Sequence, residues 1–181
     1  VIPIPLNVTA EHASYIIEHS GISHLFIGGE NGEKIWNEIK ETHTIIDIHL
    51  SESSDKNNYN MNWNCFLNES DKVEDFDINA HIDNINMNAV QTIMYTSGTT
   101  ANPKGIVFDQ VNIMSKRFAR ALALPELNSK DVFLAYLPLF HTFGRYFEML
   151  GSIFWGSSYC FAESPAFNSL LNDFKIVKPT I

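Results

Sequence analysis

Apolar positions recur at two spacings along the chain, one typical of strands and one typical of helices. Short apolar runs predict strands at residues 1–6, 24–27, 44–50, 90–95, 105–108, 131–137 and 158–162. Helical spacing predicts helices at residues 10–19, 33–40, 110–122, 140–155 and 168–177. Because helices separate most of the strands, we expect an α/β fold whose alternating β-α units form mostly parallel sheets.

Capping residues mark several of the predicted helix ends. Thr9 is placed to cap the first helix, and Gly21 is placed to close it. Asp109 is placed to cap the helix at 110–122, which carries four apolar side chains on one face. These four are Val111, Met114, Phe118 and Leu122. We therefore expect this helix to be amphipathic.

A polar stretch separates two parts of the chain that show the alternation. Residues 51–64 are rich in Ser, Asp and Asn and have no regular apolar spacing, and residues 71–88 are acidic. We therefore divide the chain into βα units at 1–50, a variable connection at 51–89 and further βα units at 90–181.

Composition excludes several classes of protein. A hydrophobic content of 45% suffices for a packed core, and a net charge of −9 argues against nucleic-acid binding. The two cysteines cannot make a disulfide framework, which favours a reducing, cytoplasmic location. No apolar run is long enough to span a bilayer. The oligomeric state is left open.

The candidate chemistry lies at residues 95–105, which read Tyr-Thr-Ser-Gly-Thr-Thr-Ala-Asn-Pro-Lys-Gly and directly follow an apolar run. Hydroxyl groups at Ser97, Thr99 and Thr100 can donate to phosphate oxygens, and Gly98 lets backbone N–H groups approach an anion. Lys104 adds a mobile positive charge. The stretch is not a nucleotide P-loop, because that motif needs glycine before the lysine and Ser or Thr after it.

The same stretch resembles the phosphate loop of the adenylate-forming enzymes, whose usual pattern is Thr-Ser-Gly-Thr-Thr-Gly-x-Pro-Lys-Gly. The chain matches that pattern except at Ala101, where glycine is usual. Residues 137–145 resemble the Leu-Pro-Leu-x-His-x-x-x-Arg stretch of the acyl-CoA synthetases, in particular of their long-chain fatty acid branch. The resemblance runs from residue 1 to residue 181 and weakens between 51 and 88.

The resemblance implies an enzyme that uses ATP and Mg²⁺ to activate a fatty acid as an acyl-adenylate and then transfers it to CoA. His141 would lie at the mouth of the acyl pocket, where a neutral imidazole can donate to a carboxylate oxygen. A core histidine that caps the following helix stays open as the alternative. Peripheral contact of the full protein with a membrane is also left open. The β- and γ-phosphates would be held by Thr96, Ser97, Gly98, Thr99, Thr100 and Lys104.

Several parts of the family pattern come later than the stretch that this chain matches. They are the adenine-binding segment, the ribose-binding Asp and the C-terminal lid domain. We therefore expect residues 1–181 to be a fragment of the AMP-binding N-terminal domain, without the lid domain and inactive alone. Two alternatives stay open: another adenylate-forming enzyme (an aryl-CoA ligase or a carrier-protein acylating enzyme), or a non-catalytic binding domain of this fold, which Ala101 would suit.

Two other polar groups have simpler interpretations. His43, Asp47 and His49 share one face of a strand but would spread over roughly 20 Å by the strand rise. We predict solvated side chains there, and no metal site. Arg145 and Glu148 are spaced i, i+3, which predicts a structural ion pair on one helix.

Overall fold

The protein is represented by a computed structural model that describes residues 1–5, 7–50, 61–73, 76–96 and 102–181. The chain divides into two compact units. The N-terminal unit comprises Ile2–Ile85 together with Tyr95–Gly105, and the C-terminal unit comprises Val1, Asn86–Met94 and Ile106–Ile181.

The N-terminal unit is built on a parallel three-stranded sheet in the order β1-β2-β3. His24 pairs with Ile46 at one end of the β1–β2 register, and Ile27 pairs with His49 at the other. Two short 3₁₀ turns follow α2 and α3, at Lys40–Thr42 and Glu69–Lys72. The regular elements are α1 (Ala10–Ser20), β1 (His24–Ile27), α2 (Gly29–Ile39), β2 (Ile46–His49), β3 (Met61–Asn62), α3 (Trp63–Asn68) and α4 (Ile78–Asp83).

Helix α1 has the ends that its sequence predicts. The Thr9 side chain accepts a hydrogen bond from the His12 N–H, and Gly21 adopts the left-handed conformation (φ 62°) that ends the helix. The apolar faces of α1 and α2 meet over β1. The core there is formed by Ala13, Ile17, Ile27, Trp36 and Ile39.

A buried polar cluster lies under α2, where solvated residues were predicted. His49 contacts a Glu33 oxygen through Nδ1 (2.8 Å) and an Asp47 oxygen through Nε2 (3.1 Å). Trp36 donates its indole N–H to Asp47 at 2.8 Å. The prediction of solvated side chains is therefore wrong for Asp47 and His49, because α2 covers this face of β2.

Two further two-stranded sheets belong to the C-terminal unit, except for the residues of β4 and β5 that fall within Tyr95–Gly105. In one, β4 pairs with β5; in the other, β6 and β7 run parallel, with Val132 opposite Ser158 and Ala135 opposite Phe161. A π-helical segment (Phe143–Met149) lies between β6 and α6. The elements are β4 (Val90–Thr96), β5 (Lys104–Asp109), α5 (Gln110–Ala123), β6 (Val132–Ala135), α6 (Leu150–Trp155), β7 (Ser158–Phe161) and α7 (Phe167–Val177).

Helix α5 begins as its sequence predicts, but it buries a different residue from those expected. Asp109 caps it in a reciprocal pair of hydrogen bonds with Asn112, as its position predicts. The predicted apolar face, however, is exposed, with Leu122 84% accessible. The buried residue of α5 is instead Arg117.

The chain start also differs from its prediction. Residues 1–5 form no strand. Pro3 and Pro5 lack the N–H that a sheet ladder needs, which accounts for the difference. The α/β class is confirmed, with parallel pairing in two of the sheets. Among the described residues, no helix is both long and apolar enough to cross a membrane.

Candidate active site

The two ends of the phosphate-loop stretch lie at the ends of paired strands. Thr96 is the last residue of β4, Lys104 is the first of β5, and both are exposed. Pro103, just before the lysine, is buried. The strands are neighbours in one sheet, so the stretch connects two paired strands. The other predicted phosphate ligands, Ser97, Gly98, Thr99 and Thr100, lie outside the described residues.

Tyr95 ties the start of this stretch to helix α1. Its ring is buried, and its hydroxyl lies 2.8 Å from His19 Nδ1. The Tyr15 ring stacks on the His19 ring, with 5.2 Å between the ring centroids. Burial, with a smaller contribution from Tyr15, raises the pKa of Tyr95. The Tyr95 hydroxyl therefore stays protonated and can donate a hydrogen bond to His19. This hydrogen bond holds the end of β4 in place.

His141 lies in the turn before the π-helical segment and is exposed. The Phe143 N–H donates to His141 Nδ1 at 3.3 Å. In the neutral ring this backbone donor places the proton on Nε2, because Nδ1 is then the acceptor. The arrangement leaves an Nε2–H group that can donate to an oxygen of a ligand.

The backbone on both sides fixes His141. The His141 N–H donates to Pro138 O at 3.0 Å, and the Arg145 N–H donates to His141 O at 3.1 Å. Gly144 permits a close approach: a Cβ there would lie 2.6 Å from Pro138 O and 2.8 Å from Leu137 O. Only glycine fits at that separation, so the segment packs directly on the backbone that carries His141.

The predicted ion pair between Arg145 and Glu148 is absent from the structure. Arg145 donates through Nε to Leu139 O at 2.9 Å, whereas Glu148 is buried and its Oε2 has no hydrogen-bond partner. The π-helical winding explains the difference, since i, i+3 neighbours align on an α-helix but not on this wider helix. Burial raises the pKa of Glu148.

The predicted site residues therefore fall into two groups. Thr96 and Lys104, at the ends of β4 and β5, belong to the N-terminal unit, and His141 belongs to the C-terminal unit. Sequence reasoning missed the contact between Tyr95 and His19, which are far apart along the chain. It also missed Gly144, although a glycine inside a predicted helix can signal a close backbone approach.

Comparison with known proteins decides the family. The sequence model of the AMP-binding enzymes matches residues 1–181, the whole of the chain. The chain belongs to the AMP-binding enzyme family. Human long-chain-fatty-acid–CoA ligase ACSBG1 is 32% identical to this AMP-binding chain over 153 residues, which cover 81% of the chain and 21% of the ligase. Fatty acyl-CoA synthetase A of Dictyostelium discoideum is 30% identical over 190 residues, which cover 99% of the chain and 27% of the synthetase.

These relatives confirm the resemblance to the long-chain fatty acid–CoA ligase branch. The chain spans about a quarter of the length of these two relatives. Solved structures share the fold of this AMP-binding chain. The anthranilate CoA ligase AuaEII in complex with anthranoyl-AMP has a TM-score of 0.80 at 18% identity, covering 99% of the chain and 34% of the ligase. ATP-bound MatB from Rhodopseudomonas palustris has a TM-score of 0.70 at 16% identity, covering 97% of the chain and 32% of MatB.

Proposed function

We propose that the full protein containing these residues is an ATP-dependent fatty acid–CoA ligase. It activates the carboxylate as an acyl-adenylate with release of pyrophosphate, and then joins the acyl group to the CoA thiol. The observation that carries this proposal is the phosphate-loop pattern bounded by the ends of two paired strands, in a chain with fatty acyl-CoA ligase relatives.

The loop would stabilise the leaving pyrophosphate. Thr96 and Lys104 lie exposed at its two ends, where a hydroxyl and an ammonium group can meet phosphate oxygens. We assign to the same role four of the residues between them: Ser97, Gly98, Thr99 and Thr100. Charge develops on the pyrophosphate as its bond to the α-phosphate breaks, so fixed donors aimed at those oxygens lower the barrier.

His141 would orient the fatty acid carboxylate. Its Nδ1 already accepts the Phe143 N–H, so the Nε2–H is the group left to donate to a carboxylate oxygen. A donor that holds one oxygen leaves the other free to attack the α-phosphate, which raises the share of bound substrate in a reactive geometry.

We propose Mg²⁺ as a companion of the nucleotide. Mg²⁺ commonly binds through substrate phosphates with few protein ligands, and ATP would bring such phosphates to the loop. Within the described ranges, no group of three or more His, Cys, Asp or Glu side chains could hold a metal ion. When bound, Mg²⁺ would neutralise phosphate charge beside Lys104.

We also propose that residues 1–181 alone do not catalyse the reaction, since they match only 21–27% of the length of the two relatives. A cytoplasmic location fits the two cysteines, Cys65 and Cys160, which are both free thiols. ATP–pyrophosphate exchange by the 181-residue polypeptide, clearly above a no-protein blank, would contradict the first of these proposals.

Thioester formation by the full-length protein tests the function. Hexadecanoate and benzoate are compared as substrates, each with ATP, Mg²⁺ and CoA. We expect thioester from hexadecanoate and little from benzoate. Thioester from benzoate alone would favour an aryl-CoA ligase, and no thioester from any carboxylate would favour a non-catalytic domain.

Two variants of His141 separate its donor role from its bulk. His141→Gln keeps an N–H donor, whereas His141→Phe keeps a ring of similar size without one. We expect His141→Phe to lower kcat/KM by roughly 100-fold, the range for loss of one donor to a reacting oxygen, and His141→Gln to lower it less. Equal loss in both variants would contradict the donor role.

A further inference from the structure

The last two residues of β4 lie on opposite faces of the strand. Tyr95 is buried, whereas Thr96 is exposed. Successive side chains of a strand alternate between its two faces, so the direction of one side chain sets the direction of the next. A contact that holds the Tyr95 ring on the buried face therefore also fixes where Thr96 presents its hydroxyl on the exposed face.

Helix α1 provides such a contact through His19, in its last turn. His19 Nδ1 lies 2.8 Å from the Tyr95 hydroxyl, and the two rings meet edge to face with 5.8 Å between their centroids. Tyr15, one turn earlier on the same helix, stacks on the His19 ring at an interplanar angle of 26°. The His19 ring is therefore held against α1 by Tyr15 and presents an acceptor to Tyr95.

Helix α1 is a firm support for this contact. Its two ends are capped by Thr9 and Gly21, and its inner face is buried at Ala13, Ile16 and Ile17. The helix also belongs to the same compact unit as the end of β4. A side chain carried by a packed helix is placed more precisely than one carried by a loop, which suits it to support a site.

The placement of Thr96 matters for one step of the proposed reaction. In adenylation, a carboxylate oxygen bonds to the α-phosphorus of ATP while the bond to the bridging oxygen breaks, and pyrophosphate leaves with that electron pair. The negative charge that develops there is stabilised by donors already aimed at it. Attack by CoA comes after pyrophosphate has formed, so the Thr96 hydroxyl meets no such charge in the second step.

We propose that His19 is a positioning residue for Thr96. By accepting a hydrogen bond from the Tyr95 hydroxyl, His19 aims the Thr96 hydroxyl at the leaving pyrophosphate. It touches neither substrate and acts in adenylation only. The inference rests on the proposed ligase function and adds to it a residue of α1 that is far from the loop in sequence. The contact can bias Thr96 toward its productive placement by no more than its own free energy.

Two partial reactions of the full-length protein, each followed in single turnovers, test the proposal. The first is formation of acyl-adenylate from hexadecanoate, ATP and Mg²⁺ without CoA. The second is formation of thioester from supplied hexadecanoyl-adenylate and CoA. His19→Phe keeps a ring that can stack on Tyr15 but removes the acceptor. We expect it to slow the first reaction by roughly 3- to 10-fold, the range for loss of one neutral hydrogen bond, and to leave the second unchanged.

Four further variants make the test specific. His19→Asn places an amide oxygen near the position of Nδ1 and should restore most of the first rate. Tyr95→Phe removes the same hydrogen bond from the other side and should match His19→Phe, so the test does not depend on one variant folding. His12→Phe, the same change two turns earlier on α1, should leave both rates unchanged. In a Thr96→Val background, His19→Phe should cause no further loss, because the hydroxyl that it aims is gone.

Several results would overturn the positioning role and leave the ligase function standing. They are equal losses in both partial reactions, a first rate in His19→Phe equal to that of the wild type, no recovery in His19→Asn, or a further loss when His19→Phe is added to Thr96→Val. Absence of both acyl-adenylate and thioester from folded wild-type protein would overturn the ligase function and the positioning role together.

Discussion

Replacing Gly144 with Ala tests how the π-helical segment positions His141. The new Cβ would lie 2.6 Å from Pro138 O and 2.8 Å from Leu137 O, whereas ordinary contacts begin at 3.4 Å. Both oxygens belong to the backbone and cannot rotate away, so the segment must retreat by about 0.8 Å. His141 is hydrogen-bonded to Pro138 on one side of this contact and to Arg145 on the other, so it must move when they separate.

A shift of this size should affect both rate and stability. Misplacement of a positioning group by about 1 Å can cost on the order of 100-fold in rate. Forcing an extra methyl group into a filled space typically costs about 1–3 kcal/mol of unfolding free energy. We therefore expect Gly144→Ala to slow acyl-adenylate formation by roughly 10- to 100-fold and to lower the denaturant midpoint of the full-length protein.

Gly32→Ala is the matched control for this substitution. Its Cβ would meet only an Ile27 side-chain carbon at 3.6 Å, an ordinary contact, inside helix α2. Alanine there should stabilise the protein by up to about 1 kcal/mol and leave the rate unchanged. If Gly144→Ala behaves like Gly32→Ala in both assays, the close approach at Gly144 does not position His141.

Three further substitutions each test one interaction by urea unfolding of the full-length protein. Tyr95→Phe removes the hydroxyl that meets His19 and should cost about 1 kcal/mol; an unchanged midpoint would contradict that contact. His49→Gln disturbs the imidazole held between two carboxylates and should cost about 3 kcal/mol; a loss under about 1 kcal/mol would match a surface pair instead. Burial raises the pKa of Glu148 above its ordinary 4.5, so the carboxyl group keeps its proton to higher pH in the folded state than in the unfolded state. The free energy of unfolding therefore falls as pH rises from about 4.5 to the higher pKa of the folded state. Glu148→Gln should remove that fall, and identical stability–pH curves would contradict burial as its cause.

Periodicity and capping predict the order of the elements well, because those signals act within a few residues. Thr9 and Asp109 cap the helices that they were predicted to cap. Periodicity does not predict which other element packs against a given face of a helix or strand. The four apolar residues of α5 do share a face, but that face is exposed, and Arg117 is buried on another.

The polar residues show the same limit of sequence reasoning. Strand spacing alone suggests that Asp47 and His49 are solvated. Their hydrogen-bond partners, Trp36 and Glu33, belong to α2 and reach them only when α2 folds over β2, which strand spacing does not reveal. The pairing expected for Arg145 and Glu148 assumed an α-helix, and a single change of helical winding removes it.

Part of the candidate site could be predicted because its chemistry is concentrated in one short stretch. Thr96 and Lys104 lie at strand ends, as the apolar run before the loop indicates. Their role, and that of Ser97 to Thr100, stays a prediction. A cavity of about 350 Å³ beside α5 could not be predicted, since its lining residues come from distant parts of the sequence and meet only through tertiary packing.

Formation of acyl-adenylate by the full-length protein is the most direct test of the central claim. Hexadecanoate, ATP and Mg²⁺ are supplied without CoA, and the mixture is analysed by mass spectrometry for the mixed anhydride of hexadecanoate and AMP. We expect the anhydride from the wild type and from Lys130→Met, an exposed lysine outside the loop, and at least about tenfold less from Lys104→Met. Absence of the anhydride from folded wild-type protein, or equal yields from both lysine variants, would contradict adenylation at this loop.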